Sequence, residues 1–294
     1  MKPKVTVIGS INIDLITKVS HWPKPGETII CHEFLQLPGG KGANQAVAAA
    51  RLGAEVVMLG CVGDDPFGEF ALNNLRNEGV LLNYVDQVRD FDTGKAFITI
   101  SEGDNAIIVV PGANLACTPE WLAKYEKVIA AGDVILLQME IPIPTLMEAA
   151  RLAKRYGVKA VLNPAPFQMI DHDFLELIDV LTPNEHEYQQ LKPVLTDYTG
   201  ILIVTRGEKG VTLITQDGVI EKPAIKVKVA DTTGAGDTFN GAFAAKWSET
   251  KSVEEAVDFA IMASALSVTK IGAQSGMPKR DEIDAFFKEW GRRH

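Results

Sequence analysis

A glycine-rich stretch near the end of the chain combines an anion-binding pattern with two carboxylates. Residues 231–241 read DTTGAGDTFNG, and the glycines lie at the start of a predicted helix over 235–247. Unpaired N–H groups and the helix dipole favour an anion at such a position. The spacing matches neither the phosphate loop GxxxxGK[ST] nor the dinucleotide pattern GxGxxG, because position 239 is Phe. What remains is a turn made of Gly234, Ala235 and Gly236.

Asp237 directly follows this turn, and its carboxylate has a chemical and a structural interpretation. A carboxylate beside an anion site is a poor phosphate ligand, but it is well placed to take a proton from a hydroxyl that attacks phosphorus. The alternative is that Asp237 only caps the helix. The stretch taken alone leaves both interpretations open.

A second glycine-rich turn, PGGKGANQA at residues 38–46, also opens a predicted helix. Lys41 and Asn44 are three residues apart and share a helix face, from which both can contact a polyhydroxy ligand. Asn12 and Asp14 follow the first predicted strand and offer the amide and carboxylate groups that hold sugar hydroxyls. A tight strand-to-helix turn with a solvated lysine is the alternative.

Two further polar motifs follow predicted strands. In TPNEHE, residues 182–187, Asn184 and Glu187 can orient a phosphate and the water shell of Mg²⁺, which takes only one or two protein carboxylates. In TRGEKG, residues 205–210, glycines and polar groups are suited to lie near a nucleotide. A capped helix start and a β-turn are the structural alternatives for these motifs.

Strand and helix patterns alternate along most of the chain, which predicts an α/β fold. We expect a three-layer α/β/α sandwich with a mostly parallel central sheet, whose carboxyl edge collects the ligand site. Two stretches, 13–37 and 94–110, have strand texture without helices between them, and they predict a small β-sheet that projects as a lid. The main catalytic domain then comprises residues 1–12, 38–93 and 111–294. An edge extension of the central sheet is the alternative for the two strand-rich stretches.

The bulk composition argues against several classes of protein. The chain has 294 residues, 46% of them hydrophobic, which suits one large domain. A net charge of −9 without a basic stripe argues against nucleic acid and membrane as partners. The three cysteines, Cys31, Cys61 and Cys117, form no CxxC motif, so a reducing, cytoplasmic location is expected.

Together the motifs resemble the phosphofructokinase-B type of carbohydrate kinases, and within that family the ribokinases. The resemblance rests on PGGKGANQAVAAARLGA at residues 38–54 and DTTGAGDTFNGAF at residues 231–243, and it runs from VIGSINID to IGAQSGMP. It implies transfer of the γ-phosphoryl group of ATP, with Mg²⁺, to the 5-hydroxyl of D-ribose. It also implies a lid that closes over the sugar and pairs two subunits into a homodimer.

The resemblance implies roles for individual residues. Asp237 matches the catalytic base and Gly234–Gly236 the anion hole. The positions that match sugar contacts are Asn12, Asp14, Gly40, Lys41, Gly42, Asn44, Ala96, Ile98 and Glu140. The positions that match nucleotide contacts are Asn184, Thr205, Arg206, Gly207, Gly210, Gly236 and Ile261. Glu187 completes the family's element for magnesium.

A monovalent-cation site is implied as well, and in this family K⁺ at that site activates the enzyme. Its positions are Asp231, Thr233, Ser267, Lys270, Gly272 and Gly276, several of them contributing backbone carbonyls. Two positions depart from the family pattern. Ile261 stands where many ribokinases have Asn or His near the adenine, which predicts looser base selectivity. Gly276 stands where Ser is common, so coordination there is expected from carbonyls.

Three other functions compete with this interpretation. A kinase of the same family acting on another sugar or nucleoside is disfavoured by the intact set of sugar-contact positions. A non-catalytic sugar sensor is disfavoured by the intact Asp237 and its glycine turn. An NAD-dependent oxidoreductase is disfavoured because its GxGxxG pattern is missing.

Overall fold

Short runs of β-branched and aliphatic residues form the strands of two separate sheets. The computed structural model describes residues 2–290. Its strands are β1 (Lys4–Ile8), β2 (Asn12–Lys18), β3 (Glu33–Gly39), β4 (Glu55–Gly63), β5 (Leu81–Val88), β6 (Gly94–Ser101), β7 (Asp104–Val110), β8 (Val134–Gln138), β9 (Lys159–Asn163), β10 (Val180–Leu181), β11 (Ile201–Thr205), β12 (Val211–Thr215) and β13 (Gly218–Lys222). The large sheet has the order β13-β12-β11-β10-β9-β8-β1-β4-β5, and the small sheet has the order β3-β2-β6-β7.

The large sheet is parallel except at one edge. The strands from β11 across to β5 run parallel to their neighbours, whereas β12 pairs antiparallel with both β11 and β13. The connection from β11 to β12 is too short for a crossover helix, so the chain turns back beside the strand it has left. The predicted mostly parallel sheet is confirmed.

Helices cover both faces of the large sheet. They are α1 (Lys41–Arg51), α2 (Pro66–Asn77), α3 (Pro119–Leu122), α4 (Glu126–Ala130), α5 (Ile143–Tyr156), α6 (His172–Leu175), α7 (Glu185–Leu191), α8 (Ala235–Thr250), α9 (Val253–Ser267), α10 (Ala273–Gly276) and α11 (Arg280–Trp290). Along β8, Val134 and Leu136 join one apolar cluster while Ile135 and Leu137 join another. Such alternation requires a core on each face, which confirms the three-layer sandwich. No helix between residues 2 and 290 is long and apolar enough to cross a membrane.

The small sheet is built by the two stretches that lack helices. In it β2 pairs antiparallel with β3 and parallel with β6, and β6 forms a hairpin with β7 around Glu102 and Gly103. The small sheet is separate from the central one, so an edge extension of the central sheet is excluded. β2 begins only four residues after β1 ends, which places the small sheet at the carboxyl edge of the large one.

The C-terminal segment docks on α1 through one half-buried arginine. Arg51 donates from Nε and Nη2 to the two carboxylate oxygens of Glu78, at 2.7 and 2.6 Å, and from Nη1 to the carbonyl of Met277 at 2.8 Å. A bidentate pair of this kind fixes both distance and angle. The Nη1 bond to Met277 holds the end of α10 against α1. There Gln274 Nε2 donates to Asn44 Oδ1 at 2.9 Å. A predicted site residue is therefore oriented from the far end of the chain.

Candidate active site

Asn12 is the first residue of β2, where the chain passes from β1 into the small sheet, and two polar residues orient its amide. Its Oδ1 accepts from Asn114 Nδ2 at 2.7 Å, and its Nδ2 lies 3.5 Å from Glu140 Oε2. Asn114 also accepts from the backbone N–H of Ile11 at 2.9 Å. Sequence reasoning missed Asn114, because it lies in a short 3₁₀ helix, Gly112–Ala116, with no recognisable motif around it.

Glu140 ties the first glycine-rich turn to the end of β1. Its Oε2 accepts from the Lys41 backbone N–H at 3.0 Å and from the Ser10 hydroxyl. Gly40, which precedes α1, has no side chain that could cap the helix, so a carboxylate from a distant loop satisfies the first N–H group. Three predicted sugar-contact positions, Asn12, Lys41 and Glu140, are thereby brought together.

The glycines of this turn are required by close backbone packing. Gly40 has a φ of +88°, and a Cβ there would lie 2.7 Å from the Asn12 backbone N. A Cβ on Gly42 would lie 2.6 Å from the Ser10 backbone N. Contacts this short cannot be relieved by a side-chain rotation, because both partners are backbone atoms. The turn can lie directly on the β1–β2 connection only with glycine at these positions.

Asp237 lies in the first turn of α8, is only 8% exposed, and has a hydrogen-bond donor on each carboxylate oxygen. Asn44 Nδ2 donates to Oδ2 at 2.9 Å, and Gln45 Nε2 donates to Oδ1 at 3.0 Å. Because two side chains from α1 hold it, the carboxylate is oriented toward α1 rather than serving as a simple helix cap. Gln45 was missed, since a buried glutamine next to a recognised motif carries no sequence signal of its own.

Negative charge is concentrated around these groups. Burial, and to a smaller extent the neighbouring charges of Glu140 and Asp237, raise the pKa of Asp14 to about 6. Burial by itself lowers the pKa of Lys41, but the charges of Asp237, Glu140 and Glu187 outweigh it, and the net shift is upward. Lys41 therefore stays protonated and is the cation that these carboxylates share.

The turn before α8 presents backbone N–H groups to open space. Gly234 is left-handed with a φ of +76°, and the Ala235 N–H donates to the carbonyl of Thr232 at 3.2 Å. Gly236 is exposed, and a Cβ added to it would meet no atom within 4 Å. The N–H groups of Gly236 and Asp237 belong to the first helical turn, which has no preceding turn to accept them. The geometry suits an anion directly beside the Asp237 carboxylate.

The predicted nucleotide-contact residues lie along the ends of β10 and β11. Asn184 and Glu187 form a reciprocal cap at the start of α7, with both bonds 2.8 Å long. Asn184 also forms a parallel bridge with Thr205, so the two motifs are adjacent. The cap uses Asn184 Oδ1 and not its amide nitrogen, so the capped helix start and a ligand contact are compatible. Burial raises the pKa of Glu187 despite the bond from Asn184.

The remaining nucleotide positions differ in accessibility. Arg206 pairs with Glu221, and its backbone N–H donates to the carbonyl of Gly210 at 2.8 Å, closing a turn through Gly207. Ile261 is 9% exposed and lies in the apolar cluster with Phe239 and Phe259. Ile261 therefore has a packing role, and its nucleotide contact remains a prediction.

The two segments of the predicted cation site are joined by Asp231. Its Oδ1 accepts from the backbone N–H and the hydroxyl of Thr233, at 2.9 and 2.7 Å, and its Oδ2 accepts from the Gly272 N–H at 2.8 Å. Burial by itself raises the pKa of Asp231, but these hydrogen bonds outweigh it and the pKa is lowered. A Cβ on Gly276 would lie 2.8 Å from the Ser267 carbonyl oxygen and 3.7 Å from that of Lys270. Oxygen atoms therefore converge at this point.

Fold and site together define a class: a three-layer α/β protein in which a polar cluster lies beside the glycine-rich turn at the start of α8. Residues 2–280 match the family described as pfkB family carbohydrate kinase. The chain belongs to the pfkB family of carbohydrate kinases, as its motifs predicted.

Proteins similar to this chain match it over nearly their whole length. The chain is 45% identical to the ribokinase of Lactococcus lactis, with 97% of each chain covered, and 43% identical to that of Bacillus subtilis, with 95% and 98% covered. The structure of the ribokinase of Arabidopsis thaliana complexed with ribose and ATP is similar, with a TM-score of 0.90 at 34% identity, covering 97% of this chain and 98% of that one.

Because the pKa of Asp14 is raised in the folded protein, we expect Asp14→Asn to stabilise the protein more at high pH than at low pH. The ordinary Asp pKa of 3.8 applies to the unfolded chain and about 6 to the folded one. The protonated carboxyl favours folding at low pH, and this contribution is lost as the pH rises through about 6. Asp14→Asn should therefore raise the free energy of unfolding relative to wild type by about 1–3 kcal/mol more at pH 8 than at pH 4. Urea unfolding at both pH values measures this, with Asp90→Asn, at an exposed position, as the control. A difference independent of pH would contradict the assignment.

Proposed function

We propose that the protein phosphorylates D-ribose at its 5-hydroxyl, using ATP as the phosphoryl donor and releasing ribose 5-phosphate and ADP. The observation that supports it most directly is the position of Asp237. Its carboxylate is held by Asn44 and Gln45 beside the sugar-contact positions, and it belongs to the same helical turn as the N–H groups of the anion site. The ribokinase relatives, one of them solved with ribose and ATP, support the choice of substrates.

Asp237 is the general base of the proposed reaction. It accepts the proton of the 5-hydroxyl as that oxygen bonds to the γ-phosphorus and the bond from phosphorus to the β-phosphate bridging oxygen breaks. The N–H groups of the Gly234–Gly236 turn and the positive end of α8 stabilise the charge on the transferred group. The phosphoryl group passes directly between the substrates, so Asp237 needs only to be ionised and aligned.

The polar cluster binds the sugar through matched hydrogen bonds. The proposed side-chain contacts are Asn12, Asp14, Lys41, Asn44 and Glu140. Buried polar groups of this kind reject sugars that lack the matching hydroxyl, because the unmatched groups stay unpaired. Ala96 is directly opposite Asp14 in the register of the small sheet, and Ile98 is opposite Ile16, so both suit an apolar cover over the sugar.

ATP is proposed to lie along Asn184, the Thr205–Gly210 turn and the exposed Gly236. Mg²⁺ bound to the phosphates neutralises their charge and aligns the transferred group. Within residues 2–290 no group of three or more His, Cys, Asp or Glu side chains is arranged to hold a metal ion. One carboxylate, Glu187, fits an ion that keeps its water shell and takes few protein ligands. We propose a cytoplasmic location, in keeping with ATP as substrate and with the three free cysteines of the described residues.

The substrate assignment predicts the outcome of an ADP-release assay over pentoses, hexoses and nucleosides. D-ribose should give the highest kcat/KM, and omission of Mg²⁺ should abolish turnover. Asp237→Asn should lower kcat by about 10³-fold or more, because it removes the proton acceptor. Ribose binding by calorimetry should survive in this variant, since the amide keeps the size of the carboxylate and its oxygen still accepts from one of the two donors, Asn44 or Gln45.

Two results of this assay would contradict the proposal. A different sugar or a nucleoside with a higher kcat/KM would assign the chain to another activity within its family. Unchanged turnover of Asp237→Asn would show that another group accepts the proton.

We also propose that K⁺ activates the enzyme from a site behind the Gly234–Gly236 turn, called the anion turn below. Asp231, Thr233 and the converging carbonyls of Ser267 and Lys270 are oxygen donors, which suits an ion with weak geometric demands. A Cβ on Gly234 would lie 2.8 Å from Ala273 Cα, so the anion turn packs directly on the segment that bears these oxygens. A cation there supports the shape and charge of the turn.

Exchange of Na⁺ for K⁺ at constant ionic strength should raise kcat several-fold in the wild type. Asp231→Ala should remove the difference between the two ions, because it removes the carboxylate that joins both segments. The ADP-release assay in each salt measures this. If Asp231→Ala keeps the full response to K⁺, the ion binds elsewhere.

The small sheet is proposed to pair two chains into a homodimer. Strand register puts Phe34, Phe97 and Ile108 on the face opposite to Asp14, with exposures of 59%, 44% and 68%. Ile107 and Val109, on the same face as Asp14, are also exposed. Apolar side chains exposed on both faces of one sheet favour burial against a second copy.

Light scattering should give about twice the 31.9 kDa mass of the chain. Ile108→Lys should produce the monomer by placing a charge in the pairing surface. Val219→Lys is the matched control and should leave the mass unchanged. Val219 is 62% exposed and lies on β13, an edge strand of the large sheet and not part of the small one. A wild-type monomer would rule out the dimer.

A further inference from the structure

Behind Asp237 lies a group of buried side-chain amides that the proposed mechanism does not use. Gln45 and Gln138 are 0% exposed, and Asn163 is 8% exposed. Gln45 Nε2 donates to Asp237 Oδ1 at 3.0 Å and to Asn163 Oδ1 at 3.1 Å, while its Oε1 accepts from Gln138 Nε2 at 2.7 Å. Gln45 is therefore the junction of the group, and its full burial keeps it out of reach of a substrate.

The hydrogen bonds continue from Asn163 and return to the helical turn that bears Asp237. Asn163 Nδ2 donates to the Thr182 carbonyl at 3.1 Å, and the Thr182 hydroxyl donates to Asn240 Oδ1 at 2.6 Å. Asn240 Nδ2 then donates to the Gly236 carbonyl at 2.9 Å. That carbonyl belongs to the peptide bond between Gly236 and Asp237. A closed ring of hydrogen bonds therefore links the side chain of Asp237 to its own peptide.

The charge of Asp237 sets the direction of these bonds. A carboxylate only accepts, so Gln45 must turn its NH₂ group toward Asp237 and its oxygen toward Gln138. Gln138 must then donate as well, and its own Oε1 is a buried atom without a hydrogen-bond partner in the described part of the chain. An unpaired buried acceptor is costly. The amides are thus oriented so that Asp237 receives a hydrogen-bond donor, although Gln138 Oε1 is left without a partner.

We propose that Gln45 is a positioning residue for Asp237. Its hydrogen bond to Oδ1 fixes the orientation of the carboxylate plane. Asn44, which bonds the other oxygen, is one of the proposed sugar contacts. Through the ring it also keeps the carboxylate in register with the Gly236 peptide, and so with the anion turn. Near-attack alignment is sensitive to displacements of about 1 Å, which can cost about 10²-fold in rate. This inference rests on the proposed role of Asp237 as base.

The test is Gln45→Met, which keeps the size of the side chain and removes its donor. We expect kcat to fall about 10- to 100-fold, because the carboxylate loses one of its two anchors. The KM for ribose and the calorimetric Kd should change less than about 3-fold, because Gln45 does not reach the sugar. Gln216→Met, at an exposed position on the β12–β13 turn, is the control and should match the wild type.

A double-mutant cycle separates positioning from general damage. In the Asp237→Asn background, Gln45→Met should cost little further kcat, because its effect passes through Asp237. Equal losses in both backgrounds, or an unchanged kcat in Gln45→Met, would overturn the inference. A normal turnover of Asp237→Asn would instead overturn the proposed base, so the two failures are distinguishable.

Gln138→Met provides a second test if Gln45→Met does not fold. It leaves Gln45 in contact with Asp237 but removes the donor to Gln45 Oε1. A fall in kcat of about 3- to 10-fold with an unchanged KM is expected, and wild-type kcat would contradict positioning by this network.

Discussion

The structure depends on a carboxylate that is buried and yet, in the proposed reaction, must accept a proton. Asp237 is almost fully covered, and a buried carboxylate is tolerated only when hydrogen bonds replace the water it has lost. The N-terminus of α8 supplies a favourable field, and two amides of α1 supply donors to the two oxygens. α1 and α8 must therefore pack side by side and in register. The position of this one carboxylate thus constrains how the two helices pack.

The second constraint is an excess of like charge. Asp14, Glu140 and Asp237 lie close enough to affect one another, and Lys41 is the cation they share. Burial and then like charge raise the pKa of Asp14, so its ionised form costs stability in the free protein. In return it supplies acceptors for a ligand rich in hydroxyl donors. Hydroxyl groups of a sugar can donate to these carboxylates and so reduce the cost of the excess negative charge, which favours binding of a polyhydroxy compound.

Segments far apart in sequence hold this site together. Glu140 satisfies the first N–H of α1, Gln274 orients Asn44 from the C-terminal segment, and the β1–β2 connection receives the glycine turn directly. The anion turn rests on Ala273, next to the predicted cation site. Gln274 is linked to Asp237 through the side chain of Asn44, with one hydrogen bond on each side. The same packing leaves no room for a Cβ at Gly40, Gly42 or Gly234.

The sequence alone determined the alternation of strands and helices, the small sheet and the two glycine-rich motifs, because periodicity and turn chemistry are local properties. Family resemblance then attached roles to Asp237 and Asp231, which local chemistry could not separate. Tertiary structure decided what depends on distance along the chain. It showed that β12 turns back antiparallel and that Ile261 packs in the core. It also showed that Gln45, Asn114 and Asn163 belong to the hydrogen-bond networks around Asp237 and Asn12. A buried amide carries no pattern in its neighbours, and its partner is chosen only when distant strands and helices meet.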